Sequence, residues 1–455
     1  MTAPSAPERI RRTLLLIASL TACGFAGSAL LSLPVSAPMD RVIVLGFDGA
    51  SPNLMQPLID AGKLPALKRL QERGAYGRLA SFRPTKSGVL WTSVATGKTM
   101  LKHGVVDWTH VDESGLDVPY KPSGRTAKTY WEILGERGLP TVTLNWWFSY
   151  PARPVKHGVV VSDVFSHGPR RGSVYPPELL RVLAPLRVEY PGDVPAAMRR
   201  HGIAEWSLAR PHVPMGSRKA ILESYGVYFA HDVTVERASD YLFDRRPARV
   251  FSTYFRLVDI TSHFAYHFLD RELYDQATAL DKQGQLGPAD EARIDQAYAQ
   301  LLEPAYRFMD RIVEKYLRRM DERTTLIVLS DHGFEFDRGH YRHAQEQGEP
   351  PDGVLFLAGR GIRPGQRIEG AKLFDIAPTI LYLAGQPVAR DMDGDVLWAA
   401  VGGRFAGTHP ARRIASYEGV TGPVEGQPGA AEAREEVLQD LRTLGYIGGD
   451  KDATP

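Results

Sequence analysis

Thr325-Leu326-Ile327-Val328-Leu329-Ser330-Asp331-His332-Gly333 decides the fold. An apolar run reads as a strand, delivers a carboxylate and an imidazole side by side, and turns at the glycine. Two other stretches repeat the delivery. Val250-Phe251-Ser252-Thr253-Tyr254-Phe255-Arg256-Leu257-Val258 ends in Asp259, with His263 four residues on. Val42-Ile43-Val44-Leu45-Gly46-Phe47 ends in Asp48. Parallel α/β sheets collect such strand ends along one edge, and ligands bind there. Asp48, Asp259, Asp331, His263 and His332 meeting at one edge describe a metal site with mixed oxygen and nitrogen ligands.

Outward from these strands the chain alternates strand and helix from about residue 40. Ser51 is placed to cap a helix that has Pro52 at its first position and Leu54, Met55, Leu58 and Ile59 on one face. Trp131, Ile133 and Leu134 lie on a helix leading to the strand Thr141-Val142-Thr143-Leu144. A helix through Val233, Ala238 and Leu242 precedes the Asp259 strand. A longer one, from about 288 to 320, spaces Ala305, Met309, Ile312, Val313 and Tyr316 as core residues, with a kink expected at Pro304. After His332 come a polar loop, Glu335 to Asp352, a strand from Gly353 to Ala358 and a helix from about Phe374 to Leu383. The pattern predicts an α/β protein with a mostly parallel central sheet and helices on both faces. Residues 166–224, rich in proline and arginine, break the rhythm and read as an inserted cap segment. The expected organisation is an export or anchor segment over 1–38, a catalytic core over 39–165 and 225–400 with the insertion between, and a peripheral tail over 401–455 with one helix, Glu436 to Leu444.

The chain has 455 residues, 43% of them hydrophobic, enough for a large core. Lys+Arg 55 against Asp+Glu 53 leaves a net charge of +2, which gives no electrostatic case for a nucleic-acid partner. At the N-terminus Arg9, Arg11 and Arg12 precede the apolar run Thr13 to Leu20, the charged and apolar regions of an export signal. Three readings compete. Leu20-Thr21-Ala22-Cys23 resembles a bacterial lipobox, whose cysteine carries lipid. Residues 13–35 are long enough to stay as a membrane anchor. A cleaved signal, with Arg11-Arg12 faintly like a twin-arginine motif, is the third. All three put the catalytic region outside the cytoplasm, in the periplasm or cell envelope, with membrane association through the N-terminus in the first two. Cys23 is the only cysteine, in keeping with an exported protein without disulfides.

Pro84-Thr85-Lys86-Ser87-Gly88-Val89-Leu90-Trp91-Thr92-Ser93-Val94-Ala95-Thr96-Gly97 reads as a loop entering a helix, with Ser87 at the start. A serine there is commonly an N-cap. Backbone N–H groups at a helix start also favour a phosphoryl group, and beside metal ligands the hydroxyl becomes a candidate nucleophile.

These motifs, with Gly46-Phe47-Asp48-Gly49, Thr96-Gly97, His103-Gly104-Val105, Ser330-Asp331-His332-Gly333, Asp375-Ile376-Ala377-Pro378-Thr379 and Leu441-Arg442-Thr443-Leu444-Gly445-Tyr446-Ile447, resemble a bacterial member of the alkaline phosphatase superfamily, in its branch of type I phosphodiesterases and nucleotide pyrophosphatases. The resemblance covers most of residues 40–400 and implies an alkaline phosphatase-like fold. It also implies two zinc ions, or other divalent ions. Asp48, Ser87, Asp331 and His332 match the site that binds the nucleophile. Asp259, His263 and a later histidine, His343 in preference to His340, match the other. Ser87 lies nine residues before Thr96, as the nucleophile does in the family. The implied activity is hydrolysis of a small or lipid-linked phosphate ester, monoester or diester, through a phosphoserine intermediate. His103 is expected to order the turn after the nucleophile helix.

The pattern departs from the family at one place. Nucleotide pyrophosphatases carry an Asn twenty-one residues after the nucleophile, and here that position is Trp108. An indole cannot replace an amide with the same geometry, which puts nucleotide diesters in doubt. A phosphonate hydrolase, a sulfatase-like enzyme and a non-catalytic surface protein that kept the metal site stand as alternatives. Sulfatases need C/S-x-P-x-R, and Ser87 is followed by Gly88-Val89-Leu90-Trp91.

Overall fold

The apolar runs do form strands, and their alternation sets both faces of one sheet. The computed structural model describes residues 40–112, 115–201, 218–268, 287–337, 340–342 and 349–419. Nine strands, β1 (Arg41–Phe47), β2 (Ala75–Ala80), β3 (Thr141–Leu144), β4 (Gly158–Val161), β5 (Val174–Tyr175), β6 (Val250–Phe255), β7 (Thr324–Leu329), β8 (Gly353–Gly359) and β9 (Gln366–Lys372), pair in the order β9-β2-β8-β7-β1-β6-β3-β4-β5. From β7 through β4 all neighbours are parallel. β8 runs antiparallel to both of its neighbours, and β5 to β4.

Helices cover both faces. Ile43, Leu45 and Phe47 of β1 point into one core; Val42 and Val44 point into the other. The first core takes α1 (Pro52–Asp60), α2 (Pro65–Arg73), α5 (Arg218–Arg245), α6 (Leu257–Phe268) and α7 (Pro288–Leu317). The second takes α3 (Ser87–Thr96), α4 (Tyr130–Glu136) and α8 (Ile376–Leu383). Each fully buried large apolar side chain contributes roughly 1.5–3 kcal/mol. Ala305, Met309, Ile312, Val313 and Tyr316 of α7 are buried, as their spacing predicts, and the helix continues through Pro304.

Several local expectations are corrected. β6 stops at Phe255, so Leu257, Val258 and Asp259 open α6 instead of closing a strand. Ser51 does precede α1, with Pro52 at its first position, but its hydroxyl donates to Phe334 O (2.8 Å) and caps nothing. Part of the polar loop after His332 is a hairpin, Glu335–Asp337 against His340–Arg342. Of the stretch 166–224, Val174–Tyr175 forms β5, and Leu179, Leu183, Val188, Val194, Ala197 and Met198 join the first core. Residues 202–217, the N-terminal segment expected to direct export, with Cys23, and the tail beyond 419 lie outside the described residues. Among the described residues no helix is long and apolar enough to cross a membrane.

Candidate active site

Asp48 follows β1, and its amide donates to Phe255 O (2.9 Å), continuing the ladder beyond the strand. The chain then turns at Gly49, whose φ is +66°. A Cβ at Gly49 would lie 2.7 Å from Asp259 Oδ1 and 2.8 Å from its Cα, so only glycine allows both the turn and the approach of α6. Ser330 ties the neighbouring strand end to this turn. Its Oγ accepts from Ala50 N (2.8 Å) and donates to His332 O (2.8 Å).

Ser87 is the first residue of α3, and Lys86 holds the N-cap position. The hydroxyl is therefore not spent on capping. It donates to Asp48 Oδ1 at 3.2 Å and stands 3.5 Å from His332 Nε2. His332 Nδ1 lies 3.1 Å from Gly333 O, a contact that places the ring proton there and turns Nε2 to the carboxylates. Nε2 stands 3.4 Å from Asp48, 3.7 Å from Asp259 and 3.7 Å from Asp331. His263 Nε2 lies 3.5 Å from Asp259 Oδ1, one turn along α6, with its ring edge-on to Phe334.

Burial sets the charges of this cluster against one another. Asp48, Asp259, Asp331 and His332 are each no more than 1% exposed. Burial opposes ionisation of Asp48, but its hydrogen bond to His332 holds it below the usual carboxylate range. Burial, reinforced by the charge of Asp48, drives Asp331 well above that range. Burial works against a charged His332, yet the Asp331 and Asp48 carboxylates raise it to about 10. Asp331 Oδ2 is buried without a hydrogen bond among the described residues. An orphaned carboxylate oxygen beside Asp48, Asp259 and His332, whose ligating atoms lie within 4.8 Å of one another, fits a divalent metal ion.

Of the residues expected at the site, Asp48, Ser87, Asp259, His263, Asp331 and His332 come together; Asp259 arrives on a helix and stands with Asp48 and His332. His343 falls outside the described residues, and His340 lies in the hairpin strand. His103 is buried away from the cluster, bonded to Ser93 Oγ (2.9 Å) and Val105 N (3.2 Å), the turn-ordering role expected of it.

The reading of the sequence missed the groups behind these side chains. Tyr254 OH donates to Asp48 Oδ2 and accepts from Trp147 Nε1 (2.6 Å). Burial and the charge of Asp48 raise Tyr254 well above its ordinary value, which keeps it a donor. A tyrosine inside a buried strand was the available signal, since its hydroxyl needs a partner. Trp108 packs edge-on to Trp147 (5.0 Å between centroids) and Phe148 (6.2 Å), and Gly88 leaves room for Phe148 and Trp108 beside Ser87. Lys86 pairs with Asp107.

The profile of a family described as type I phosphodiesterase / nucleotide pyrophosphatase matches residues 42–336. The chain belongs to that family. This type I phosphodiesterase family member is therefore a hydrolase by kinship, and the matched span holds Asp48, Ser87, Asp259, His263, Asp331 and His332. No curated protein matches its sequence. Solved structures share the fold. A 2-O GAG sulfatase aligns over 84% of this chain and 76% of its own, at 12% identity and TM-score 0.52. A mutant of the alkaline phosphatase PafA aligns over 81% of this chain and 100% of its own, at 12% identity and TM-score 0.50. A phosphonate monoester hydrolase from Silicibacter pomeroyi covers 79% and 76%, at 16% identity and TM-score 0.45.

Proposed function

We propose that this chain hydrolyses phosphate esters with Ser87 as nucleophile, at a two-metal centre of zinc or a similar divalent ion. The observation that carries the reading is the placement of the Ser87 hydroxyl, at the start of α3 and within 3.5 Å of both Asp48 and His332. Asp48, Asp331 and His332 would hold one ion and Asp259 and His263 the other, with a histidine of the following loop, His343 or His340, as third ligand. Such ions supply Lewis-acid stabilisation of the charge that develops on the phosphoryl oxygens.

The chain's own groups do the rest. Asp48 orients the Ser87 hydroxyl, and Tyr254 fixes the Asp48 carboxylate by its far oxygen. The positive end of α3 favours the anionic phosphoryl group. Ser87 Oγ bonds to phosphorus as the ester oxygen leaves, giving a phosphoserine; water then breaks the Oγ–P bond and releases phosphate or a monoester. Where a nucleotide-cleaving relative would offer an amide, this chain has the buried indole of Trp108, which favours small or lipid-linked esters over nucleotide diesters. An N-terminal export or anchor segment, as the sequence suggests, would put this activity in the cell envelope.

The test uses an aryl phosphate monoester and an aryl phosphate diester. Ser87→Ala should lose more than ~10³-fold in turnover while elemental analysis finds the parent's metal content. Mass spectrometry of the acid-quenched parent should show phosphate on Ser87. A Ser87→Ala protein that turns over like the parent overturns the assignment.

A further inference from the structure

α6 begins without a cap of its own. A single residue, Arg256, separates β6 from α6, and arginine has no acceptor with which to cap a helix. Asp259, the acid in the first turn, is turned toward His332 and the metal cluster. The amides that open the helix must find their acceptor elsewhere.

Asp232, in the middle of α5, supplies it. Its two carboxylate oxygens each accept from Arg256 N at 3.1 Å, and Oδ2 also accepts from Leu257 N at 2.8 Å. The side chain is 1% exposed, so no water competes. Burial raises its carboxyl to about 7, with the charge of Asp48 adding to the rise, a sign of how near the clamp lies to the cluster. A buried carboxylate held against that pressure does more than an ordinary surface cap.

We propose that Asp232 is a positioning residue for the metal centre: its clamp on the Arg256 and Leu257 amides sets the first turn of α6 and so the approach of Asp259 and His263 to Asp48 and His332. The inference rests on reading the cluster as a metal site. Outer groups that fix a ligand commonly govern metal affinity by 10- to 100-fold. A cap that only held the helix would alter stability and leave metal affinity alone.

Zinc titration of the metal-free full-length chain by calorimetry separates these cases, with unfolding followed in parallel. Asp232→Ala should bind zinc ~10- to 100-fold more weakly, and Asp232→Asn, which keeps one acceptor oxygen and the shape, should fall between it and the parent. Asp232→Asn carries the test if the alanine variant does not fold. Asp259→Ala is the reference. If Asp259→Ala loses zinc and the Asp232 variants bind it like the parent, the positioning role is overturned and the metal centre stands. If Asp259→Ala itself binds zinc like the parent, the metal reading falls and takes the positioning role with it.

Discussion

The site has a strand-borne half and a helix-borne half, and they are secured by different means. Asp48, Asp331 and His332 sit one to three residues beyond β1 and β7, two parallel neighbours whose register from Arg41–Thr324 to Gly46–Leu329 fixes where they emerge. Asp259 and His263 ride on α6, which reaches the cluster through one linking residue and a clamp from Asp232. Ladder hydrogen bonds are spread over a whole strand, so no single side chain decides the strand-borne positions. The helix-borne positions rest on the packing of Leu257, Val258 and Ile260 into the first core, with the Asp232 clamp and the room left at Gly49 at the near end of the helix.

Breaking the strand-borne half gives the largest effect. Asp331→Asn should lower turnover by more than the ~10- to 100-fold typical of changes outside the ligand set. In metal-free protein the sign for stability reverses. Asp331 is a buried carboxylate pushed well above its ordinary range by burial and by Asp48, so above neutral pH the amide should melt higher than the parent. Thermal melts with and without zinc, beside turnover, read both signs. A metal-free variant that melts lower than the parent at pH 8 would show that burial and Asp48 do not hold the Asp331 carboxyl above its ordinary range.

The joint between the halves comes next. Gly49→Ala asks a residue with a Cβ to hold φ +66° and to stand 2.7 Å from Asp259. The left-handed backbone alone costs about 1–3 kcal/mol, and α6 must also move. Zinc affinity should fall with stability in this variant. Chemical unfolding and zinc titration check the pair; a loss of stability with unchanged affinity would mean the two halves are not coupled at Gly49.

The smallest effect probes the anchoring of the nucleophile helix. Burial holds His103 neutral, lowering it from 6.5 to about 3. The folded state therefore binds fewer protons than the unfolded one as pH falls below 6.5. Stability that is fully present above 6.5 is lost as pH drops toward 3, by ~2 kcal/mol at pH 5. His103→Gln should reduce the difference in unfolding free energy between pH 8 and pH 5 by that amount. An unchanged difference would assign the pH dependence to other groups.

The strand-borne half was legible because its signal is local. Val42 to Asp48 and Thr325 to His332 each write an apolar strand and its polar terminus in one short stretch, and a parallel sheet lines such termini up. Ser87 was legible from the loop that enters a helix. Asp259 was expected at a strand end and instead rides on a helix, where it stands with Asp48 and His332. The run from Val250 to Val258 continues apolar residues past Arg256 with Leu257 and Val258, and periodicity alone does not mark where a strand gives way to a helix. Asp232 and Tyr254 left no local trace of their roles, because the Tyr254 hydroxyl meets a carboxylate 206 residues away in sequence, and Asp232 serves a helix in the next stretch of chain. Such contacts exist only once the strands are ordered.

Every residue of α3, from Ser87 to Thr96, is buried. Gly46 leaves the space that Trp91 fills, and Gly97 ends the helix in a left-handed turn. The helix that presents the nucleophile is thus also a core element, and it has no solvent-facing side on which substitutions could accumulate freely. Natural variants of this hydrolase with altered substrate preferences would be expected to keep this helix nearly constant and to diverge at exposed positions outside it.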